Sequence, residues 1–263
     1  MELEARNVSF SYEGKPFIEK LNLNIEKGKI TTIIGPNGSG KSTLLSLLCG
    51  INKSVSGDIL VNEKDIRKIK NKELSKIIST VHQQNSVPSD LTVYELVKYG
   101  RMPYKKAFEG FNDEDEKIIH WAIKSTGMEK FLDKEVMLLS GGERQRAFIA
   151  MALAQKTGIL VLDEPTTYLD IYHQIQVLDI VKKLNEDNKT TVIMVLHDIN
   201  QALQYSDNII IMNEGKIIAE GPSDEVINCN IIKSIYGVNG IIKTDEDIKR
   251  SYFIPVETVG SFL

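Results

Sequence analysis

The chain has 263 residues, of which 42% are hydrophobic and 26% charged, with 32 Lys and Arg against 36 Asp and Glu. This is the composition of a globular protein, and a chain of this length buries about 70–75% of its unfolded surface without a disulfide or a structural metal. The net charge of −4 provides no overall attraction to nucleic acid, so DNA and RNA are excluded as expected partners. Cys49 and Cys229 match no metal-ligand spacing and are expected to be reduced, buried thiols.

The sequence contains no candidate membrane-spanning segment. Its longest apolar runs, such as 159–162 and 192–196, are far shorter than the roughly 20 residues that a spanning helix needs. Residues 1–6 have neither the basic start nor the apolar core of a signal peptide, so the chain is expected to stay in the cytoplasm. Attachment to a membrane through a partner protein remains compatible with both observations.

The order of the predicted strands is that of an α/β fold. The chain first alternates apolar and polar residues at 4–10 and 17–25, which predicts an N-terminal antiparallel β edge. Short β-branched strands then alternate with helical patterns, which favours a mainly parallel sheet covered on both faces. These strands are predicted at 29–34, 77–81, 159–162, 191–196 and 208–212.

The middle of the chain loses strand character and becomes helical. Helices are predicted at 92–99, 113–125 and 143–155. They indicate a helical subdomain at about 85–157, inserted in a core made of residues 1–230. Residues 231–263 are predicted to form a short C-terminal extension with a weak strand signal at 251–256.

A glycine-rich loop follows the strand predicted at 29–34 and precedes an apolar helical run at 44–48. Its glycines allow backbone amides to turn toward phosphate oxygens, and the following helix presents its positive end. Lys41 is predicted to reach the β- and γ-phosphates and Ser42 to give its hydroxyl to Mg²⁺. The context of strand, loop and helix favours this P-loop NTPase core over a solvated turn. The loop, which fits G-x-x-x-x-G-K-S/T, is Gly35-Pro36-Asn37-Gly38-Ser39-Gly40-Lys41-Ser42.

Two adjacent carboxylates, Asp163 and Glu164, end the apolar strand predicted at 159–162. An unpaired buried carboxylate is costly, so a cation is expected nearby. Asp163 is predicted to hold Mg²⁺, directly or through water, and Glu164 to orient and polarise the attacking water. The alternative is that both acids merely solvate a loop. His197 ends another apolar strand, and it would reach a γ-phosphate if the two strands are neighbours; otherwise it is structural.

A second glycine-containing motif precedes the helix predicted at 143–155. Ser140 and Glu143 predict a capping box, but capping alone does not require the two glycines between them. Bare backbone amides at a helix N-terminus also bind anions, so the motif predicts a second phosphate-binding surface. One nucleotide cannot easily touch both surfaces of one chain, which favours two chains facing head to tail. The motif is Leu139-Ser140-Gly141-Gly142-Glu143-Arg144-Gln145.

In this order and spacing, the motifs resemble those of the ATP-binding subunit of an ABC transporter, from about residue 2 to residue 230. The resemblance implies that Asp170 belongs to the D-loop and that His197 is the switch histidine. It also implies that Gln83 joins the core to the helical subdomain as a catalytic residue and Mg²⁺ ligand, and that Tyr12 stacks on adenine. Two assignments stay open: Gln84 could replace Gln83, and Phe10 could replace Tyr12. His82 stands where the family often has proline.

The resemblance implies two ATP molecules, with Mg²⁺, bound between two copies of the chain. Hydrolysis would remove the shared γ-phosphate and open the dimer, so the transported compound need not touch this chain. One copy would contribute Ser140, Gly141, Gly142 and Asp170. The other copy would contribute Tyr12, Gly35, Pro36, Asn37, Gly38, Ser39, Gly40, Lys41, Ser42, Thr43, Gln83, Asp163, Glu164 and His197.

The implied partners are integral-membrane permease subunits and, indirectly, an extracytoplasmic substrate-binding protein, which places the chain at the cytoplasmic face of the membrane. Segments 92–103 and 162–174 resemble the subgroup that imports iron chelates, haem and cobalamin, so a ferric siderophore or related iron complex is the expected cargo. Segment 92–97 would equally suit a capped amphipathic helix. His173 is interpreted as helix surface or a dimer contact rather than a metal ligand.

Three other classes of protein share part of this pattern. A soluble ABC-type ATPase of iron–sulfur cluster assembly is the main alternative. Residues 143–146, at the end of the motif, and the iron-chelate-like segments argue against it. Chromosome-structure and DNA-repair relatives place long coiled coils between Lys41 and Asp163, for which this chain has no room. A small-molecule phosphotransferase would lack the motif at 139–145.

Overall fold

The computed structural model describes residues 3–83, 85, 87–106, 108–245, 247 and 250–259. Its strands are β1 (Leu3–Tyr12), β2 (Lys15–Ile25), β3 (Ile30–Ile34), β4 (Ser56–Val61), β5 (Lys64–Asp65), β6 (Ile78–Val81), β7 (Ile159–Asp163), β8 (Thr191–Val195), β9 (Asn208–Asn213), β10 (Lys216–Pro222), β11 (Val238–Asp245) and β12 (Arg250–Thr258). Its α-helices are α1 (Lys41–Leu48), α2 (Asn71–Leu74), α3 (Val93–Tyr99), α4 (Asp113–Ser125), α5 (Gly141–Ala154), α6 (Ile171–Asn188), α7 (Ile199–Tyr205), α8 (Ser223–Val226) and α9 (Cys229–Tyr236). In these ranges, no helix combines the length and apolarity that crossing a membrane requires.

The chain forms two compact units, and the first consists of residues 1–67 and 193–263. Its N-terminal part is a four-stranded sheet in the order β2-β1-β4-β5, in which β1 pairs antiparallel with both neighbours. In β2, Leu21, Leu23 and Ile25 are buried while the residues between them are exposed. The predicted antiparallel pairing of the first residues is therefore confirmed, and the structure adds β4 and β5 to it.

The second sheet of this unit carries the P-loop. Strand β3 pairs in parallel with β9, with Thr31 opposite Asn208, and β10 pairs antiparallel with β9. The amide of Leu196, just after β8, donates to the Ile33 carbonyl at 3.2 Å. All five residues of β3 and of β8 are buried, which explains why these strands lack polar alternation. The strands predicted at 29–34 and 208–212 are confirmed to within one residue at each end.

The C-terminal residues of the first unit form α9 and an antiparallel hairpin of β11 and β12. Asn200 of α7 binds this hairpin twice: its amide donates to the Phe253 carbonyl at 3.1 Å and its oxygen accepts from the Phe253 amide at 2.7 Å. The strand predicted at 251–256 lies within β12, whereas α9 and β11 are elements that the sequence did not predict. Cys49 is buried as expected, but Cys229 is only half-buried, because it lies at the start of α9.

The second unit consists of residues 68–192. Strands β6 and β7 pair in parallel, with Ile78 opposite Ile159, and helices α3, α4 and α5 pack on one another. Each of these helices begins with a capping box. The helices predicted at 92–99 and 113–125 are confirmed, and α5 starts two residues earlier than predicted because Ser140 is its N-cap. The predicted insert of 85–157 lies inside this unit, together with β6, β7 and α6.

A buried ion cluster joins α4 to the segment after α3. Asp115 accepts a hydrogen bond from Nε of Arg101 at 3.0 Å and forms an ion pair with Lys105, and all three side chains are at least nine-tenths buried. Arg101 also donates to the Ala154 carbonyl at the end of α5. Burial alone would raise the pKa of Asp115, but hydrogen bonds from Lys105, the Asn112 amide and Arg101 outweigh it and lower the pKa to about 2.

Candidate nucleotide-binding site

The P-loop in the first unit has the conformation that its glycines predict. Gly38 has a φ of 78° and Gly40 a φ of 104°, in the region that side chains rarely adopt. A Cβ on Gly38 would meet nothing within 4 Å, so glycine is needed there for the backbone conformation and not for space. Lys41 is only 5% exposed, and its ammonium donates to the carbonyls of Gly35 and Pro36 at 2.9 Å each. The lysine that is predicted to reach the phosphates thus lies inside the curve of its own loop.

The residues after Lys41 start helix α1 and link it to an aromatic group. Ser42 is exposed in the first turn, and Thr43 is buried. The Thr43 hydroxyl shares a 2.7 Å hydrogen bond with the phenolic oxygen of Tyr12. Tyr12 is 51% exposed, and the Phe10 ring packs edge-on against the Tyr12 ring with centroids 4.9 Å apart. Of the two candidates for adenine stacking, Tyr12 therefore presents the more accessible ring beside the loop.

His197 lies in the first unit with the P-loop. It is exposed, directly after the Leu196 amide that donates to Ile33 ahead of the loop. Its neighbour Asp198 is the N-cap of α7 and accepts from the amides of Asn200 and Gln201 at 2.7 and 3.0 Å. The cap fixes the point at which the chain leaves the strand, and so it fixes the backbone of His197.

The candidate hydrolytic residues of the second unit form a connected group. Strand β7 ends at Asp163, and Glu164 follows with a φ of 52°, a strained conformation for a residue with a side chain. The amide nitrogen of Gln83 donates to Glu164 Oε2, and the Thr167 hydroxyl donates to the same oxygen at 3.1 Å. The structure therefore brings Gln83 and Glu164 together. The alternative Gln84 lies outside the described residues.

The loop around Gln83 is held by a local bond, because Asn85 Nδ2 donates to the carbonyl of His82 at 2.6 Å. His82 thus occupies the position where proline is frequent, with its carbonyl tied to a residue three positions later.

Ser140 is the N-cap of helix α5 and forms the predicted capping box with Glu143. The Glu143 carboxylate accepts from the Ser140 amide at 2.9 Å, and the Ser140 hydroxyl accepts from the Glu143 amide at 3.4 Å. Ser140 and Gly141 are exposed, whereas Gly142 is buried. A Cβ on Gly142 would lie 2.3 Å from Cδ2 of His173, closer than any real contact. The second glycine is therefore required by the neighbouring imidazole, a reason that the sequence did not reveal.

Asp170 and His173 form a pair at the start of α6. Asp170 is the N-cap, and its Oδ1 accepts from the His173 amide at 2.9 Å and from His173 Nδ1 at 2.7 Å. These two hydrogen bonds, the backbone one first, lower the pKa of Asp170. The sequence places His173 on the helix surface or at a dimer contact; in the structure its side chain is 28% exposed and lies between Asp170 and Gly142. The spacing of three residues between an N-cap acid and a histidine was the available signal.

The three side chains that are predicted to bind Mg²⁺ have the oxygen ligands that this ion requires. Ser42 provides a hydroxyl, Asp163 a carboxylate and Gln83 an amide oxygen, and these are the hard oxygen ligands that Mg²⁺ accepts while keeping several waters. Gln83 binds Glu164 through its amide nitrogen, so its oxygen is the atom suited to a cation. Among the described residues, no three His, Cys, Asp or Glu side chains form a cluster able to hold a metal by themselves.

The chain matches the family model described as ABC transporter over residues 18–167. It is 44% identical to the iron(3+)-hydroxamate import ATP-binding protein FhuC of Bacillus subtilis (strain 168), over 92% of this chain and 90% of that protein. It is 41% identical to the ferric enterobactin transport ATP-binding protein FepC of Escherichia coli (strain K12), over 97% and 94% of the two chains.

Two solved structures are similar over most of the chain. A chain described as a metal-chelate type ABC transporter in an inward-facing conformation is 26% identical and superposes with a TM-score of 0.85, covering 97% of both chains. The dimeric bacterial ABC transporter cassette MJ0796 is 32% identical with a TM-score of 0.74, covering 84% of this chain and 98% of that one. The fold predicted from the motifs is confirmed, and this chain belongs to the ABC transporter family of ATP-binding proteins.

Proposed function

We propose that this chain is the ATP-hydrolysing subunit of an importer for ferric siderophores or related iron complexes. One observation supports this most directly: the likeness to ATP-binding proteins of iron(3+)-hydroxamate, petrobactin and ferric enterobactin transport extends over at least nine-tenths of this chain, at 41–44% identity. The same likeness favours this function over that of a soluble ATPase of iron–sulfur cluster assembly.

ATP binding is assigned to the first unit. The amides of the P-loop, residues 35–40, and the Lys41 ammonium would bind the phosphates, since Lys41 already donates to two oxygens inside the loop. The exposed ring of Tyr12 would stack on adenine, held in place by its bond to Thr43. Ser42, Gln83 and Asp163 would hold Mg²⁺, which neutralises charge on the phosphates when it is bound.

Hydrolysis is assigned to Glu164, with Gln83 and His197. Glu164 would accept the proton of the attacking water, and the hydrogen bonds from Gln83 and Thr167 orient its carboxylate for that step. The positive φ of Glu164 is consistent with this role, because backbone strain concentrates at functional residues. The exposed imidazole of His197 would contact the γ-phosphate.

A second copy would complete each site with Ser140, Gly141, Gly142 and Asp170. Ser140 and Gly141 are exposed residues at the N-terminus of α5, where an anion is favoured. Asp170 is 66% exposed. The dimeric cassette MJ0796 supports a functional dimer. Permease subunits would hold the dimer at the cytoplasmic face of the membrane, and a substrate-binding protein would deliver the cargo from outside.

The test is reconstitution of the chain with a candidate iron-complex permease in proteoliposomes. ATPase activity and uptake of a ⁵⁵Fe-labelled ferric siderophore should both require the chain. Glu164→Gln should bind ATP and hydrolyse it at least ~100-fold more slowly, because a lost proton acceptor costs about two or more orders of magnitude. Normal turnover by Glu164→Gln would contradict the assigned residue, and ATPase activity without any iron-complex uptake would contradict the proposed cargo.

A further inference from the structure

We propose that His173 is a positioning residue that couples the D-loop, defined here as residues 166–170, to the N-terminus of α5. These are the two elements that a second copy's nucleotide would meet, so the inference rests on the proposed function. In this arrangement His173 touches no nucleotide. It fixes the relative position of Asp170 and Gly142, so that both elements approach the second copy's nucleotide as one body.

The first observation is the anchoring of the D-loop to the first turn of α6. Asp170 Oδ1 accepts from both the backbone and the ring of His173, at 2.9 and 2.7 Å. Gln174, the next residue, donates its side-chain amide to the carbonyls of Thr166 and Leu169, at 3.3 and 3.0 Å. These four hydrogen bonds, which come from two consecutive residues, hold the D-loop against the first turn of α6.

The second observation is the contact of the same imidazole with α5. The Cβ position of Gly142 lies 2.3 Å from Cδ2 and 2.5 Å from Cγ of His173, a space that only the hydrogen of a glycine can occupy. About one turn further along both helices, Arg146 Nη1 donates to Gln176 Oε1 at 2.7 Å. Two contacts one turn apart keep the start of α5 from sliding along or rotating against α6.

Coupling follows from the fact that one ring makes both contacts. Close-packed groups do not compress, so displacement of Asp170 moves the imidazole, and the imidazole moves Gly142 with Ser140 beside it. At position 173, an aliphatic side chain would pack against Gly142 but could not form a hydrogen bond with Asp170. An exposed polar side chain at position 173 could bind Asp170 but would not pack against α5. A partly buried histidine satisfies both requirements, with its Nδ1–H donated to Asp170.

The first experiment separates the binding of a chain's own nucleotide from its action on a second copy. His173→Ala should leave the ADP affinity of the monomer within about twofold of the native value. In the Glu164→Gln background it should raise the ATP concentration for half-maximal dimerisation about tenfold, the size typical of coupling between sites, as measured by sedimentation. His120→Ala is the matched control, since His120 is an exposed histidine on α4 of the same unit, and it should change neither quantity.

Two further variants test the two contacts of His173 separately. His173→Phe keeps a ring against Gly142 and loses the side-chain hydrogen bond to Asp170, whereas His173→Asn keeps a donor for Asp170 and loses the ring. Each should produce part of the dimerisation defect of His173→Ala. If either variant behaves as the native chain, the ring does not couple the two elements and the inference is wrong. If all three variants weaken ADP binding and dimerisation equally, the role of His173 is general stability, and the inference is likewise wrong.

Mixed dimers test whether His173 acts on the nucleotide of the second copy. When Lys41→Ala is in one chain and His173→Ala in the other, the intact P-loop belongs to the His173→Ala chain and meets an unaltered His173 on its partner, so turnover should be retained. When both substitutions are in one chain beside a native chain, the intact P-loop meets the altered elements, so turnover should fall about tenfold. Equal turnover in both arrangements would overturn the inference. If even the Glu164→Gln chain forms no ATP-dependent dimer, the proposed function fails as well.

Discussion

The P-loop and the loop that starts α5 are both glycine-containing loops ahead of a helix, but Gly38 of the first and Gly142 of the second are required for different physical reasons. In the P-loop, Gly38 has open space around it and a backbone conformation that a side chain would strain. At the start of α5, Gly142 is an ordinary helical residue that the ring of His173 approaches too closely for any Cβ. The first glycine serves the conformation of its own loop, and the second serves a contact with another element.

The two units also differ in the charged side chains that they bury. Among the described residues of the first unit, Lys41 is the one buried charged side chain, and its ammonium donates to two carbonyls of its own loop. The second unit instead buries Arg101, Lys105 and Asp115 together. The P-loop therefore holds a cation suited to an anionic ligand, whereas the helical segments of the second unit use charge to bind each other.

The largest expected effect is that of Lys41→Ala. Charge-assisted hydrogen bonds to phosphates contribute about 1.5–3 kcal/mol each, so we expect ATP to bind at least ~100-fold more weakly. Fluorescent nucleotide titration measures the loss, and Lys27→Ala, at an exposed lysine ahead of β3, is the control. Tight ATP binding by Lys41→Ala would contradict the assignment of Lys41 as the buried cation that binds the phosphates.

Asp115→Asn tests the buried charges of the second unit. Removing one partner of a buried ion pair costs about 3 kcal/mol, which we expect in denaturant unfolding at pH 7. The pKa of Asp115 is lowered to about 2, so its contribution is complete above the ordinary pKa and is lost as the pH falls toward 2. The difference between native chain and variant should therefore shrink between pH 4 and pH 2. The exposed Asp187→Asn is the control, and a difference that is constant with pH would contradict the assigned ionisation.

Gly142→Ala should weaken ATP-dependent dimerisation by about 2 kcal/mol, because the added methyl must displace the His173 ring from its packed position. The ADP affinity of the monomer should change little. The double variant Gly142→Ala/His173→Ala removes the collision between the methyl and the ring. Its dimerisation defect should therefore be smaller than the sum of the defects of the two single variants. Strict additivity would show that the glycine is needed for a reason other than the imidazole.

Gly38→Ala is expected to have the smallest effect, about 1 kcal/mol, from placing a side chain in the left-handed region. The cost should appear in nucleotide affinity. Since no atom lies within 4 Å of the new methyl, no substitution of a neighbour should recover it. Recovery by a change at a neighbouring side chain would mean that steric contact, and not backbone conformation, explains both glycines.

Sequence reasoning succeeded where the determinants are local. The P-loop, the capping box of Ser140 and Glu143, and the start of α4 are each specified within a few consecutive residues, and the structure has all of them. The pairings of Gln83 with Glu164 and of His173 with Gly142 depend on tertiary packing between residues far apart in the chain, so no local pattern predicts them. Strand β11 has no regular alternation of buried and exposed residues, so the sequence pattern does not predict it.

The first unit is assembled from two distant stretches of chain, which has a consequence for synthesis. The amide of Ile30, at the start of the strand that leads to the P-loop, donates to the carboxylate of Asp207, 177 residues later. During translation, β3 therefore leaves the ribosome long before β9, its parallel neighbour, exists. A nascent chain should therefore become able to bind ATP only near the end of its synthesis.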